Sequence, residues 1–294
     1  AASGAAPKRR DTMKRRTRSE KITVYIAFVI FIFYALTLVF PFFWLLLNSF
    51  KENSAFFTNI WGLPKKWIFT NYADAFGLKV KSFNLFMMFG NSVFIVIVGT
   101  LISMFVSSMA AYTISKYRFF GRRAIYMIAI TVMLVPSVGT IPATYQLLQQ
   151  TGLYNNHLGI FLMYSGGFGF SFIMLYGYFQ NLSWSYAEAA FIDGCSDFRV
   201  FVQVMMPQAI PVLCALGIVQ AINLWNDYFT PYMYMPQYPT LAVGLDGIVK
   251  EMTARSNWPL LFSTMLITIV PVLAVFIGFQ KTIMDNMTAG GLKG

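Results

Sequence analysis

Hydrogen-bonding side chains beside aromatic rings are the residues of this sequence best suited to binding a solute. Inside otherwise apolar stretches they occur at Tyr164 and in the run Trp225, Asn226 and Asp227. This mixture suits a polyhydroxylated solute, and the plainer alternative is a belt of aromatic side chains at a membrane surface. A carboxylate such as Asp227 costs about 3 kcal/mol at the centre of a membrane helix and tends to be functional there. We expect these four residues to line or gate a solute pathway.

The sequence contains few residues that could support catalysis or metal binding. The chain has one histidine, His157, and two cysteines, Cys195 and Cys214, which we expect to be free thiols. A closed zinc site needs about four ligands, so we predict no metal site. A membrane-embedded enzyme would need a convergent set of catalytic groups, for which a single histidine is a weak basis. No Gly-x-x-x-x-Gly-Lys-Ser/Thr phosphate loop occurs, so we expect no ATP bound by that route.

The amino-acid composition indicates that much of the chain is surrounded by lipid and not by water. Of the 294 residues, 57% are hydrophobic, 18% are aromatic and only 11% are charged, whereas a soluble domain has roughly 25% charged residues. One water-soluble core could not bury this much apolar surface. The sequence therefore predicts a membrane protein whose partner over much of its surface is the lipid bilayer.

Uncharged runs mark the membrane spans, because about 20 residues of helix cross about 30 Å of hydrocarbon. Residues 124–187 carry no charge and must hold two spans, with a natural break at the polar cluster 149–157. The sequence thus predicts an all-α membrane protein with six transmembrane helices. We place them at 22–47, 85–115, 124–147, 158–180, 208–229 and 258–280.

Basic residues set the predicted orientation. Eight of the 22 lysines and arginines lie in segment 1–21, directly before the first apolar run. A nucleic-acid arm is disfavoured because no folded basic domain accompanies the segment, so we read a cytoplasmic anchor and no nucleic-acid binding. Fifteen basic residues fall on the side of the two ends, although five lysines between 51 and 81 weaken the rule locally. We expect both termini, including the tail 281–294, to be cytoplasmic.

Small residues and helix breakers recur inside the predicted spans. The second span has small residues at every fourth position, namely Gly99, Ser103, Ser107 and Ala111. Such a stripe permits close helix packing, either within this subunit or against a second transmembrane subunit. Pro136 and Pro142 interrupt the third span, and glycines 166, 167 and 169 loosen the fourth. Bent helices suit a gated pathway and also occur in static bundles.

The segment 183–207, between spans four and five, is predicted to form two short helices. Ser185 and Glu188 have the spacing of a capping box, and Gly194 can end the first helix in the left-handed conformation. The second helix is expected to begin at Ser196 and Asp197 and to stop at Pro207. It would place Phe198, Val202 and Met205 on one apolar face. Such a unit suits docking into a groove on a soluble partner.

The same segment carries a specific resemblance. Its Glu188-Ala189-Ala190, Asp193-Gly194 and Pro207 resemble the EAA coupling-helix loop of importer permeases in ATP-binding-cassette systems. The run 225–227 and the glycine-rich ending 289–294 resemble the maltose-type permease subunit of the carbohydrate-uptake branch. The match extends from about residue 22 to the end, which makes 22–280 the permease domain. One departure is Ser183, where these permeases commonly carry proline, and serine can cap a helix instead.

The resemblance implies a function and a set of partners. It implies a multi-pass permease of the prokaryotic inner or plasma membrane, without enzymatic activity of its own, that takes up a sugar or oligosaccharide. The partners would be a second permease, an ATPase dimer that binds ATP and Mg, and an extracytoplasmic solute-binding protein; the second permease is expected to be a different chain. Two alternatives are an importer of a non-sugar solute and a stand-alone secondary transporter. The latter predicts buried charged relays or inverted repeats, and we find neither in the sequence.

Overall fold

The computed structural model describes residues 18–134 and 137–289, and these residues are predominantly helical. The helices are α1 Arg18–Ser49, α2 Asn53–Thr58, α3 Thr70–Gly77, α4 Leu85–Lys116, α5 Arg122–Val132, α6 Ile141–Gln150, α7 His157–Tyr164, α8 Phe170–Asn181, α9 Ser185–Ile192, α10 Asp197–Val200, α11 Met206–Gln208, α12 Ile210–Asn226, α13 Phe229–Tyr234, α14 Leu241–Ala254 and α15 Trp258–Ala289. A 3-10 turn covers Ser137–Thr140 and a π-helical turn covers Phe201–Met205.

A small hairpin departs from the purely helical prediction. Strands β1 (Lys79–Val80) and β2 (Phe83–Asn84) pair antiparallel, with Val80 opposite Phe83. The hairpin leads directly into α4, whose first turn is capped by Asn84, because the Asn84 side chain accepts a hydrogen bond from the Met87 N–H at 2.8 Å. Two residues per strand give too little periodicity to be read from sequence.

Three helices of the described residues are long and apolar enough to cross a membrane. They correspond to Glu20–Ser49, Leu85–Lys116 and Trp258–Lys281, and they contain the predicted spans 22–47, 85–115 and 258–280. A fourth candidate pairs the segment 197–208 with α12, across a bend of 80°. By length and composition the described chain thus supports several spans, and the count of six stays a prediction.

The third and fourth predicted spans are each divided into two helices. The third becomes α5 and α6, and Pro142 lies in the first turn of α6, where a missing N–H breaks no helical bond. The fourth becomes α7 and α8, separated by a stretch that contains Gly169 at φ +159°. The expected bends are therefore full breaks. Pro136 lies outside the described residues.

Helix α4 is the centre of the packing, in contact with α7, α8, α12 and α14. The small-residue stripe from Gly99 to Ala111 is buried within this chain. A Cβ built on Gly99 would lie 3.0 Å from Leu224 Cδ1 and 3.1 Å from Tyr164 Cδ2, so a side chain there would push on both neighbours. Of the two alternatives for the stripe, the structure shows packing inside the subunit.

The two ends of the chain contrast with this core. Helix α1 is exposed around most of its circumference, including Phe31 at 70% and Phe33 at 69%, as expected for an apolar helix surrounded by lipid. Residues 1–17, with most of the predicted basic segment, and residues 290–294 of the predicted glycine-rich tail lie outside the described residues. The orientation of the termini therefore stays a prediction.

Candidate functional site

The segment that carries the EAA resemblance, residues 183–208, forms short helices that pack on the core of the chain; we call it the EAA unit. In α9 the side chains of Ala187 and Ala190 are buried, whereas Glu188 and Ala189 are exposed. The buried alanines pack in the same cluster as Tyr112, Phe179 and Phe201. Because alanine is small, the α9 backbone can approach that cluster closely. The motif therefore has a buried side, formed by Ala187 and Ala190, and an exposed side, formed by Glu188 and Ala189.

The predicted cap of this helix is wrong in one detail. The backbone is already helical at Trp184 (φ −72°, ψ −21°), which precedes the first residue of α9 and makes no side-chain cap hydrogen bond. Ser185 is therefore inside the first turn and cannot form a capping box with Glu188. Ser183 provides the side-chain hydrogen bond at the start of the helix instead, because its hydroxyl accepts from the Ser185 N–H at 3.3 Å.

Gly194 ends α9 as the sequence predicts. Its φ is +82°, in the left-handed region that favours glycine. The Gly194 N–H donates to the Phe191 carbonyl and the Cys195 N–H donates to the Ala190 carbonyl, both at 3.0 Å. These two bonds form a Schellman motif. The direction of the chain after α9 therefore depends on a backbone conformation that a β-branched side chain strongly disfavours.

The second half of the unit begins at Asp197 as predicted but does not stop at Pro207. The π-helical turn Phe201–Met205 precedes Pro207, and the helix continues to Gln208. The Met206 N–H donates to the Phe201 carbonyl five residues back, which shifts the side-chain register relative to an α-helix. Consequently the predicted face is wrong: Met205 is buried, whereas Phe198 is 62% exposed.

A bend at Ala209 joins this unit to α12 and turns the chain through 80°. Ala209 is fully buried. The Tyr178 hydroxyl donates to the Gln208 carbonyl at 2.6 Å, and the Gln208 side-chain amide donates to the Val204 carbonyl at 3.0 Å. The bend is therefore held to α8 and to the preceding turn by these two side-chain hydrogen bonds.

A second contact fixes the EAA unit to the end of α4. The Tyr117 hydroxyl donates to Asp197 Oδ1 at 2.7 Å, and the Tyr117 ring packs edge-on against Trp184. Burial raises the pKa of Tyr117, and its hydrogen bonds with Tyr112 and Asp197 raise that pKa further. The hydroxyl therefore keeps its proton and remains a donor to Asp197. Sequence reasoning missed Tyr117, because 80 residues separate it from Asp197.

Large apolar side chains remain uncovered on the outer surface of the EAA unit. Tyr186 is 50% exposed, Ile192 is 86% exposed and Phe198 is 62% exposed. Asp193 and Gly194 are exposed beside them. We call Tyr186, Ile192 and Phe198 the apolar face. Tyr186 and Ile192 were not among the predicted site residues.

Two of the four predicted pathway residues meet. The Tyr164 hydroxyl, at the end of α7, donates to Asp227 Oδ2 at 2.8 Å, and the Thr230 N–H donates to Asp227 Oδ1 at 3.0 Å. Asp227 follows the last residue of α12, so its carboxylate connects the break before α13 to the break after α7. Both carboxylate oxygens thus have a hydrogen-bond partner, which offsets the cost of its partial burial.

The other two predicted pathway residues lie elsewhere. The Trp225 ring packs edge-on against Phe89 at 5.7 Å between centroids, and Trp225 lines an apolar cavity of about 210 Å³ between α4, α12 and α15. The Asn226 side-chain amide donates to the Ile222 carbonyl of its own helix at 2.8 Å. Adjacent residues of the run therefore point to different environments, which sequence adjacency could not resolve.

A polar cavity of about 330 Å³ lies on the other side of α12, between α4 and the break that separates α7 from α8. Its polar side chains are Ser103, Ser107, Tyr164, Ser171, Gln220 and Asn223. Sequence reasoning selected only Tyr164 among them as a pathway residue. The available signal was the pair of amides, three residues apart, inside the otherwise apolar α12.

Metal and disulfide chemistry is not found at either site. Within residues 18–134 and 137–289, no group of three or more His, Cys, Asp or Glu side chains could hold a metal ion. Cys195 and Cys214 are both free, which confirms the expectation of free thiols.

Comparison with known proteins decides the family. Residues 99–287 match the family described as "Binding-protein-dependent transport system inner membrane component". The chain belongs to this family. This confirms the predicted importer-permease membership: the protein is a membrane transport permease and not an enzyme. The family match includes the whole EAA unit and the polar cavity.

Relatives along nearly the whole length support the same assignment. The permease is 30% identical to the diacetylchitobiose uptake system permease protein NgcG of Streptomyces coelicolor, over 92% of this chain and 90% of the relative. It is 29% identical to the arabinooligosaccharides transport system permease protein AraQ of Halalkalibacterium halodurans, over 96% of this chain and all of the relative.

A solved structure has the same fold. It is a crystal structure of a bacterial ABC transporter involved in the import of the acidic polysaccharide alginate, with a TM-score of 0.75 and 24% identity. The match covers 92% of this permease and 99% of that chain. At this identity the likeness establishes the fold of the permease and leaves its solute open.

Proposed function

We propose that this protein is a transmembrane subunit of an ATP-driven importer for a sugar or oligosaccharide delivered by an extracytoplasmic binding protein. Two permeases that are similar to this chain over nearly its whole length belong, by name, to uptake systems for diacetylchitobiose and arabinooligosaccharides. The observation that carries the proposal is the EAA unit, with a buried underside, an exposed apolar face and a braced connection to α12. This arrangement provides a docking surface and a mechanical link in one element.

The proposed topology has six spans with both termini in the cytoplasm. Two of these spans are broken: α5 and α6 have 11 and 10 residues, and α7 and α8 have 8 and 12 residues. At 1.5 Å per residue, each pair supplies about 30 Å of helix, which is the thickness of the hydrocarbon core. This length supports counting each pair as one span, and the basic residues of loop 116–123 then lie on the cytoplasmic side.

The EAA unit is proposed to couple the permease to its ATPase. Glu188, Ala189, Asp193 and Gly194 are exposed and would meet the ATPase, whereas Ala190 supports the unit from below. Pro207 lies in the last turn before the bend to α12. Movement of the docked ATPase would rotate the unit as a rigid body, and the bonds around Gln208 would transfer this rotation to α12.

The remaining partners complete the importer. A second permease, expected to be a different chain, supplies the other half of the pathway, and two ATPase subunits bind ATP and Mg. This chain contributes no cofactor site of its own in the proposal. Tyr164 and Asp227 would hold the outer end of the pathway, with Trp225 and Asn226 beside them at the end of α12.

ATP-driven uptake by the purified complex tests the proposal. The chain is extracted from its native membrane in mild detergent, its stoichiometric companions are identified by mass spectrometry, and the complex is placed in proteoliposomes with its binding protein. The proposal expects a second permease and a phosphate-loop ATPase, with oligosaccharide uptake only when ATP is enclosed. Isolation of the chain alone, with solute flux in ATP-free liposomes, would contradict it.

A further inference from the structure

The polar cavity has the size and position of a small-molecule site within the permease. Its volume of about 330 Å³ falls at the lower end of the range of about 300–1,000 Å³ typical of ligand pockets. Its walls come from α4, from the break between α7 and α8, and from α12. Aromatic walls are supplied by Tyr164, Phe168 and Phe170, so the cavity combines flat apolar surfaces with polar groups.

Among the described residues, most hydrogen-bonding side chains of this cavity have no partner in the protein; the exception is the Tyr164 hydroxyl, which donates to Asp227. Within the described residues, the side chains of Gln220 and Asn223 make no hydrogen bond, and neither do the hydroxyls of Ser103 and Ser107. Asn226, in the same helix, differs because its amide is bound to the Ile222 carbonyl. Asn223 is exposed and Gln220 is half-buried, so both amides are open to a bound molecule and are not committed to holding the fold. A ligand with several hydroxyl groups would satisfy them.

The cavity also lacks charged side chains. None of its lining residues is Lys, Arg, His, Asp or Glu. The nearest carboxylate in the hydrogen-bond network is Asp227, which already accepts hydrogen bonds from Tyr164 and Thr230. A charged solute at membrane depth needs a compensating charge, and a carboxylate on the solute would meet only a negative group here. The lining therefore favours a neutral solute.

We infer that the polar cavity is a binding site for a neutral saccharide, with Gln220 and Asn223 as its principal hydrogen-bonding residues. The inference rests on the proposed importer function and adds the location of the site in this subunit and the charge of its ligand. Tyr164 forms one wall, and its bond to Asp227 fixes the orientation of its ring.

A double substitution tests the site. Gln220→Leu with Asn223→Leu removes both amides, and Gln146→Leu, an exposed amide in α6, serves as the matched control. Each complex is assayed in proteoliposomes for ATP-driven uptake of diacetylchitobiose, arabinotriose, galactotriose and maltotriose. For the oligosaccharide that the wild type imports, we expect the double variant to lose about tenfold or more, as expected for one or two lost hydrogen bonds, and the control to match wild type.

The outcomes separate the site from the function. If the wild type imports a neutral oligosaccharide and the double variant imports it equally well, the site is overturned and the importer stands. If the wild type shows no ATP-driven uptake of any of the four, the proposed function itself fails.

A labelling experiment avoids any assembly defect of the double variant. Asn223→Cys is introduced with Cys195→Ser and Cys214→Ser, and a small thiol reagent is added to the intact complex. We expect the imported neutral oligosaccharide to slow labelling of position 223, and an alginate trisaccharide at the same concentration to leave it unchanged. Equal protection by both would overturn the preference for a neutral ligand, and protection by neither would overturn the site.

Discussion

The EAA unit and the polar cavity are built on opposite principles. In the EAA unit, local backbone hydrogen bonds fix the chain, and the buried alanines and the bond between Tyr117 and Asp197 hold it to the core. In the cavity, the amides of Gln220 and Asn223 have no partner among the described residues, and one wall is the break between α7 and α8. The proposed coupling element is held by hydrogen bonds within the chain, whereas the proposed ligand site leaves two amides free to bind a solute.

The largest effect is expected from Gly194→Val, which disrupts the turn that ends α9 in the EAA unit. A β-branched residue at φ +82° costs roughly 1–2 kcal/mol in backbone strain, and the Schellman turn would open. We expect ATP-driven uptake to fall to background while the complex keeps residual ATPase activity. Uptake and ATP hydrolysis are measured on the same proteoliposomes.

The control for this variant is Gly121→Val. Gly121 has φ +83°, and nothing lies within 4 Å of a Cβ built there, so the local strain is similar outside the EAA unit. Comparable loss of uptake in both variants would show that general destabilisation, and not coupling, explains the effect.

A smaller effect is expected from removing the hydrogen bond between Tyr164 and Asp227, which borders the polar cavity. A hydrogen bond to a charged group contributes about 1.5–3 kcal/mol, which corresponds to about 10–150-fold in a rate or affinity. We expect Tyr164→Phe and Asp227→Ala each to lower uptake, and the double variant to be no worse than Asp227→Ala. A double-mutant cycle on initial uptake rates measures this, and additive losses would contradict a shared role.

Tyr117→Phe should have a modest effect on the attachment of the EAA unit to α4. It removes the hydrogen bond to Asp197 but keeps the ring against Trp184. Because this pair is partly exposed, we expect a cost of about 1 kcal/mol, seen as a few degrees lower thermal midpoint of the complex and weaker coupling of ATP hydrolysis to uptake. An unchanged midpoint and unchanged coupling would show that the EAA unit does not need this brace.

The smallest effect is expected outside both regions, from Arg255→Ala. Arg255 pairs with Glu251 at 2.8 Å, and its side chain is 68% exposed. Exposed pairs of this spacing contribute about 0.3–0.5 kcal/mol, so uptake and thermal stability should match wild type. A tenfold loss of uptake would mean that α14 belongs to the transport machinery.

The same contrast explains what could be predicted from sequence. The boundaries at Ser185, Gly194 and Asp197 depend on residues within one or two turns, and the sequence located them closely. The apolar face of the second helix was misjudged because the π-helical turn at 201–205 shifts its register. Hydropathy located α1, α4 and α15, since each is a long apolar run.

Contacts distant in sequence were out of reach. Tyr164 and Asp227 were both selected for their chemistry, but their contact spans 63 residues and no local pattern encodes it. Gln220 and Asn223 were overlooked, although polar side chains in an apolar helix are a usable signal. The breaks in spans three and four depend on packing around glycine and proline and not on hydropathy alone.

Site-specific cross-linking can decide whether the EAA unit contacts the ATPase on the cytoplasmic side. Ile192→Cys, at an 86% exposed position, and Leu63→Cys, at a 68% exposed position in the loop between α2 and α3, are each introduced with Cys195→Ser and Cys214→Ser. Both variants carry a photo-activatable label in the complete complex. We expect position 192 to capture the phosphate-loop ATPase, and we expect position 63, on the opposite side of the membrane in the proposed topology, not to capture it. Capture of the ATPase from position 63, or of the binding protein from position 192, would contradict this expectation.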